Sequence, residues 1–248
     1  MRRPDAFVPH AQCELKGPRS NQLLAALPAE EFERLLPDLE PVTLPMGWTI
    51  HAAGEPEKLL YFLTEGIVSR IHLTASGATA EFAITGAEGM IGVASFLGGE
   101  STPSQAVVLS AGHAYRLKEE VLAKELAHHG RLAHLLLGYT RTLMVQAGQT
   151  AACNRHHSLL QRLARWLLLA LDRSPTRELA VTHELIAGAL GARRESVTMA
   201  AATLQEAGAI DCQRGHIRMV DRESLEAMSC ECYQVIRWEC DSLSRAAS

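Results

Sequence analysis

The chain has 248 residues, with 24 Lys and Arg against 28 Asp and Glu for a formal charge of −4. Hydrophobic residues make up 47% and charged residues 21%, values of an ordinary folded domain that exclude a disordered or low-complexity chain. The longest strongly apolar run, Trp166-Leu167-Leu168-Leu169-Ala170-Leu171, is far short of the ~18–20 residues of a membrane span. No apolar segment follows Met1-Arg2-Arg3-Pro4-Asp5, so no secretory signal and no membrane partner are expected. A cytoplasmic protein is expected, with its six Cys mostly reduced.

The net charge hides an asymmetry. Residues 151–220 carry nine Arg against six acids, while the flanking segments are acidic. All four Lys (Lys16, Lys58, Lys118, Lys124) precede that block. Its positive charge is therefore guanidinium, a planar fork suited to phosphate and base edges.

Residues 1–20 show no periodicity and read as a flexible arm. Residues 21–37 offer apolar positions for one or two short helices at Leu23, Leu24, Leu27, Phe32, Leu35 and Leu36. From about Glu40 the texture becomes β-rich. The runs are Val42–Leu44, Trp48–Ile50, Leu59–Leu63, Ile67–Leu73, Thr79–Ile84, Ala106–Leu109 and Ala114–Leu117, parted by Gly, Pro and Ser. Many short strands at such spacing predict a barrel, sandwich or roll.

After Leu117 the pattern turns helical. Lys118–Ala127 predicts a short helix, and a long one is expected from Arg131 to about Cys153. Along it Leu132, Leu136, Tyr139, Leu143, Gln146, Thr150 and Cys153 repeat at 4-3-4-3 spacing, the a/d seam of a two-helix contact. Leu132, Leu136, Tyr139 and Leu143 are thus the candidate dimer interface, with packing on the chain's own β domain as the alternative. Residues 153–157 read as a hinge. Ser158-Leu159-Leu160-Gln161 has the form of a capping box, opening a helix that Asp172-Arg173-Ser174-Pro175 closes.

The most informative segment is 182–219. Thr182 can cap a helix over His183–Leu190, Gly191 permits a left-handed turn, and a second helix is expected over Arg193–Ala207 with Val197, Ala201 and Leu204 inward. This is a helix-turn-helix. Ile210–Met219 reads as a hairpin turning at Arg214-Gly215, which makes it winged. The second helix opens Arg193-Arg194-Glu195-Ser196, with Thr198 one turn on. Arg forks to guanine and Glu accepts from cytosine, so Arg194, Glu195 and Thr198 are candidate base readers. Arg193, His183, Arg177 and Arg214 are candidate phosphate contacts. The partner would be double-stranded DNA bearing a near-palindromic operator.

This order of β-roll, long helix and winged helix-turn-helix resembles the Crp–Fnr superfamily of bacterial transcription regulators. The resemblance runs over about residues 21–220 and is most specific in Glu184–Thr198, with Gly66, Gly77, Gly89 and Gly92 spaced like the family's β-roll turns. It implies an α+β fold. An N-terminal β-roll sensor over 21–130, a double-stranded β-helix of cyclic-nucleotide-binding type, would precede a dimerisation helix and hinge over 131–157. A DNA-binding domain over 158–220 and a helical tail over 221–248 would follow. It also implies a homodimer that works with RNA polymerase, and it places Arg194 and Glu195 at base-reading positions. The sequence departs from the family where Met199 replaces the usual Arg, where Arg193 replaces a Ser or Thr cap, and in its longer tail.

Binding a cyclic phosphate requires backbone N–H groups in a turn and an Arg to pair the charge. In the matching segment, residues 89–106, Met90 stands where a Glu is usual and Ser104 or Gln105 where the Arg is usual. No Lys or Arg lies between Arg70 and Arg116. Met90, Ile91, Ser104 and Gln105 therefore mark a candidate effector pocket for an apolar ligand or none, not a cyclic nucleotide.

No metal site or cofactor is expected. The N-terminus has only Cys13, and Cys230-Glu231-Cys232 lacks zinc-knuckle spacing, although with Cys212 and Cys240 it offers four thiols. Cys153 is open to oxidation at the hinge. His128-His129 and His156-His157 read as surface or hinge residues, and nothing favours haem at His72 or His113. No catalytic constellation appears, so the protein is not expected to be an enzyme. The alternatives are a signalling module whose helix-turn-helix binds a protein partner, and a Cys-based redox or metal sensor.

Overall fold

The computed structural model describes residues 16–99, 101–213 and 215–247. Most of the expected arm, with Cys13, lies outside the described residues, as does Arg214. The described part of the arm is not loose. Pro18–Ser20 form a 3-10 turn, and the Arg19 guanidinium stacks 4.0 Å over the Phe32 ring.

Two short helices follow, α1 (Gln22–Ala25) and α2 (Ala29–Leu35). The buried Asn21 caps α1 and donates its amide to the carbonyls of Leu63 and Gly89, each at 2.8 Å. The β-roll comprises β1 (Glu40–Leu44), β2 (Thr49–His51), β3 (Leu59–Leu73), β4 (Thr79–Thr85), β5 (Met90–Ile91) and β6 (Ser104–Lys118). Its sheet order is β1-β6-β3-β4, with β2 on β6 and β5 on β3.

The paired runs Leu59–Leu63 and Ile67–Leu73 are one 15-residue strand, and so are Ala106–Leu109 and Ala114–Leu117. The glycines between them bend the strands instead of ending them. Gly66 has φ +91°, and the register of β3 on β6 slips through bulges at Leu63–Val68. A Cβ on Gly112 would sit 2.2 Å from the Glu65 carbonyl oxygen, so the two backbones approach too closely for any side chain.

Helix α3 (Glu119–Leu126) leads to α4 (Arg131–His156). The first turn of α4 is capped from a distance, the Glu31 carboxylate accepting from Arg131 N–H at 2.8 Å and Leu132 N–H at 3.0 Å. The helix runs three residues beyond Cys153, so the expected hinge contracts to His157 and Ser158, where the backbone is extended. Ser158 and Gln161 close both halves of the capping box at the start of α5 (Leu159–Leu171).

The C-terminal domain holds β7 (Glu178–Ala180), α6 (His183–Leu190), α7 (Arg194–Glu206), β8 (Ile210–Gln213) and β9 (His216–Met219). Thr182 caps α6 through Leu185 N–H, and Gly191 adopts φ +58° in the turn. Val197, Ala201 and Leu204 are buried. The wing is a three-stranded sheet in the order β7-β9-β8. The tail forms α8 (Arg222–Ala227) and α9 (Cys232–Ala247). No helix among the described residues is long and apolar enough to cross a membrane.

Candidate nucleic-acid interface and ligand cavity

One face of α7 is buried and the other is bare. Arg194, Glu195, Thr198 and Met199 are exposed, Met199 by 73%. Arg193 is the N-cap residue and is also exposed, but it makes no side-chain cap bond. The Thr198 hydroxyl donates to the Arg194 carbonyl at 3.0 Å, and His183 Nδ1 lies 3.0 Å from Thr198 Oγ1. With its proton committed, that oxygen accepts from Nδ1–H, so His183 buttresses Thr198 instead of projecting freely toward a phosphate. Arg177 is exposed in the turn before β7, at φ +54°. A cleft of about 480 Å³ lies between the start of α6, Arg194 and the wing, lined by Thr182, His183, Glu184, Arg194, Gln213 and His216 among others. The reading face thus stands beside a groove walled by the wing.

A second cavity of about 280 Å³ opens between the β-roll and α4. Phe82, Val93, Ala94, Leu97, Leu143, Met144 and Ala147 give it an apolar lining, with Glu57, Arg70, Thr102, Ser104 and Thr140. Of the four expected pocket residues only Ser104 lines it. Met90 and Ile91 are fully buried in the core on opposite sides of their strand, and Gln105 lies outside the lining. Val93 faces the cavity in place of Met90. The stretch without cations between Arg70 and Arg116 missed the cation at its own boundary, because strand pairing brings Arg70 beneath the segment. The Arg70 guanidinium donates to the Met90 carbonyl at 2.6 Å and to Thr85 Oγ1 at 3.4 Å. Glu57 accepts from Ala94 N–H at 2.8 Å.

Two domain families match the chain in the order of its architecture. Residues 41–129 match the cyclic nucleotide-binding domain and residues 161–228 the Crp-like helix-turn-helix domain, together more than half of the sequence. The chain belongs to the Crp/Fnr family of transcription regulators. The CRP-like cAMP-activated global transcriptional regulator of Mycobacterium tuberculosis is 28% identical over 198 residues, covering 77% of this chain and 88% of its own. The global nitrogen regulator of Synechococcus elongatus is 26% identical over 208 residues, covering 80% and 88%. Among solved structures, FixK2 from Bradyrhizobium japonicum shares the fold, with TM-score 0.67 at 19% identity over 77% of this chain and 98% of that one. A CRP-family regulator from Thermus thermophilus has TM-score 0.61 at 26% identity, covering 76% and 96%. Proteins of this family act on transcription through DNA and are not enzymes.

In this Crp/Fnr chain the seam drawn on α4 turns inward. Leu132, Leu136 and Tyr139 are 1–2% exposed and belong to the core formed with α1, α2 and the roll, and Leu143 packs against the same cluster. The Tyr139 hydroxyl donates to the Met90 carbonyl at 3.0 Å. Gln146 pairs with the backbone of Ile84 on edge strand β4, accepting at 2.6 Å and donating at 3.4 Å. Gln146 therefore covers the edge of the sheet at Ile84, while Thr150 accepts from Arg165 at 3.2 Å. These side chains are spent within one chain. The helix leaves exposed or half-exposed a second row at the same spacing, Ala133, Leu137, Thr140, Met144, Ala147 and Ala151, with Leu137 60% and Met144 70% exposed.

The two domains pack directly on each other, which sequence reasoning did not foresee. Ile67, Ile84 and Leu109 of the roll share a core with Trp166, Leu167 and Ile186. Trp166 Nε1–H donates to Glu81 at 2.7 Å, Thr79 Oγ1 to the Gly188 carbonyl at 3.0 Å, and Arg173 to Glu88 at 2.7 Å.

The cysteines also regroup. Cys153, Cys230 and Cys232 are buried together, with His157 beside them. Cys212 lies on β8, and Cys240 Sγ stands 3.9 Å from Arg173, so the four-thiol grouping of Cys212, Cys230, Cys232 and Cys240 does not occur. Burial raises the thiols of Cys153 and Cys232, the latter to about 12. The sequence signal for this cluster was the i, i+4 spacing of Cys153 and His157.

Proposed function

We propose that the protein is a dimeric, sequence-specific DNA-binding regulator of transcription in the cytoplasm, in which α7 reads the major groove. The observation that carries this reading is the bare face of α7. It sets a guanidinium, a carboxylate, a hydroxyl and a thioether on one exposed surface of a helix whose other face is fully packed. Arg194 suits guanine, Glu195 a cytosine amino group and Met199 a thymine methyl, while Arg193 and Arg177 suit phosphates. Dimerisation runs along the exposed row of α4, Leu137 and Met144 at its centre. RNA polymerase is the onward partner of the DNA-bound dimer. Selection from random duplexes tests the reading. It should return a near-palindrome with half-sites ~34–36 Å apart, and a pool without a recurrent sequence would overturn it.

The β-roll cavity receives a small, largely apolar effector. The Mycobacterium relative is cAMP-activated by name, but the arrangement here supports a different ligand. Arg70 is the only cation among the described cavity residues; it is 5% exposed, and Nε and one terminal nitrogen of its guanidinium already serve Thr85 and Met90. Millimolar cyclic AMP or cyclic GMP should leave the melting temperature unchanged. A saturable rise would contradict this, because a ligand of the folded state must stabilise it.

A further inference from the structure

The joint between the domains holds a side-chain cluster that DNA reading does not use. Cys153 stands near the C-terminus of α4 and His157 just past it, while Cys230 lies in the tail between α8 and α9 and Cys232 opens α9. One ligating atom from each of the four lies within 4.8 Å of all the others. Cys153 Sγ is 3.5 Å from Cys230 Sγ, and Cys232 Sγ is 3.7 Å from His157 Nδ1. Around a tetrahedral ion with Zn–S about 2.3 Å and Zn–N about 2.0–2.1 Å, the edges of the tetrahedron are about 3.8 Å for S to S and about 3.5 Å for S to N. Two of the six edges therefore stand within a few tenths of an ångström of those of a zinc tetrahedron, and the other four are no longer than 4.8 Å. On the far side of the ring, His157 Nε2 lies 3.3 Å from Glu231 Oε1. That carboxylate–imidazole pair is how a ligating histidine is usually oriented.

An independent observation concerns charge. Arg165 is 3% exposed, and buried Nε atoms of both Arg162 and Arg165 lack a hydrogen-bond partner. Neither guanidinium has a carboxylate at ion-pair distance among the described residues; Arg165 acts on Glu81 only at longer range, and both interact electrostatically with Cys153. A buried cation without a close counter-charge is costly. Three thiolates and a neutral imidazole around a divalent ion carry a net charge of about −1, which supplies that counter-charge where the two guanidiniums stand.

We propose that Cys153, His157, Cys230 and Cys232 form a structural zinc site, three thiolates and one imidazole, that fastens the C-terminal tail to the joint between the β-roll and the DNA-binding domain. Soft thiolates in a tetrahedral set select zinc over hard cations such as magnesium and calcium. All four positions are filled by protein, as in a structural site and unlike a catalytic one. Binding releases the three thiol protons to solvent, so affinity rises with pH. The site does not depend on the DNA-reading assignment.

The test uses the full chain purified under reducing conditions. Elemental analysis should find about one zinc per chain. After removal by a chelator, titration with cobalt(II) should give the visible bands of a tetrahedral thiolate complex, saturating at the same stoichiometry. The Cys230→Ser/Cys232→Ser double variant should lose both the zinc and the bands, and Cys212→Ser should keep both. Should the double variant fail to fold, the cobalt titration of the wild-type chain decides alone. Reduced protein that holds no zinc and gives no thiolate bands would overturn the proposal. So would a Cys153–Cys230 disulfide that excludes the metal, or an iron–sulfur chromophore.

Discussion

Glu81 shows how one side chain ties the two domains together. Its carboxyl is buried between Ser69, whose hydroxyl donates at 2.5 Å, and Trp166 of the DNA-binding domain. Burial pushes it up to about 7 from an ordinary 4.5. The folded protein thus holds this proton more tightly than the unfolded chain does. Stability falls as pH rises from about 4.5 to about 7 and is level above that, a loss on the order of 3 kcal/mol at most. Glu81→Gln keeps an acceptor for the indole and removes the charge. Chemical denaturation of this variant should show the pH dependence flattened over that window with no loss of stability at neutral pH, and an unchanged slope would count against the assignment. At this scale the local signals were legible. Thr182, Ser158 with Gln161, and Gly191 act within four residues of themselves, so their roles follow from spacing. Glu57, Arg70 and Glu81 were not legible, because their neighbours come from paired strands and from another domain.

At the scale of the element, periodicity located helix α4 and its apolar row, and that row packs on the chain's own β domain, the alternative to a dimer seam. Two rows at 4-3-4-3 spacing run along α4. The more apolar one, through Leu132, Leu136 and Tyr139, fills the chain's own core, and the weaker one, through Leu137 and Met144, is left on the surface. Both obey the same heptad rule, so only the docking of the β-roll distinguishes them. The β strands departed from expectation. Gly66 and Gly112 carry the composition of a turn but act together across a strand pair, so two long bent strands looked like four short ones. Charging the exposed row should break the dimer without unfolding the chain. The Leu137→Glu/Met144→Glu double variant should sediment as a monomer at micromolar concentration while keeping the helical circular dichroism of the folded chain, its melting temperature lowered only by the lost coupling to association and no longer dependent on concentration. A variant that remains dimeric would move the interface elsewhere.

At the scale of the whole molecule, the sensor and the reader are one packed body in the described structure. Ile67, Ile84 and Leu109 join the core of the helix-turn-helix domain, and Thr79, Glu81 and Glu88 of the roll each bond to it. A ligand entering the cavity beside Leu143 and Met144 would touch the helix that carries the exposed row proposed for dimerisation. Whether α7 reads sequence is decided by selection from random duplexes with wild-type, Arg194→Ala and Glu195→Ala proteins. The wild type should return a near-palindrome, and each variant should lose preference at one position in each half-site, a discrimination of roughly 1–3 kcal/mol per contact. An unchanged selected site in both variants would contradict the assignment of α7 as the reading helix.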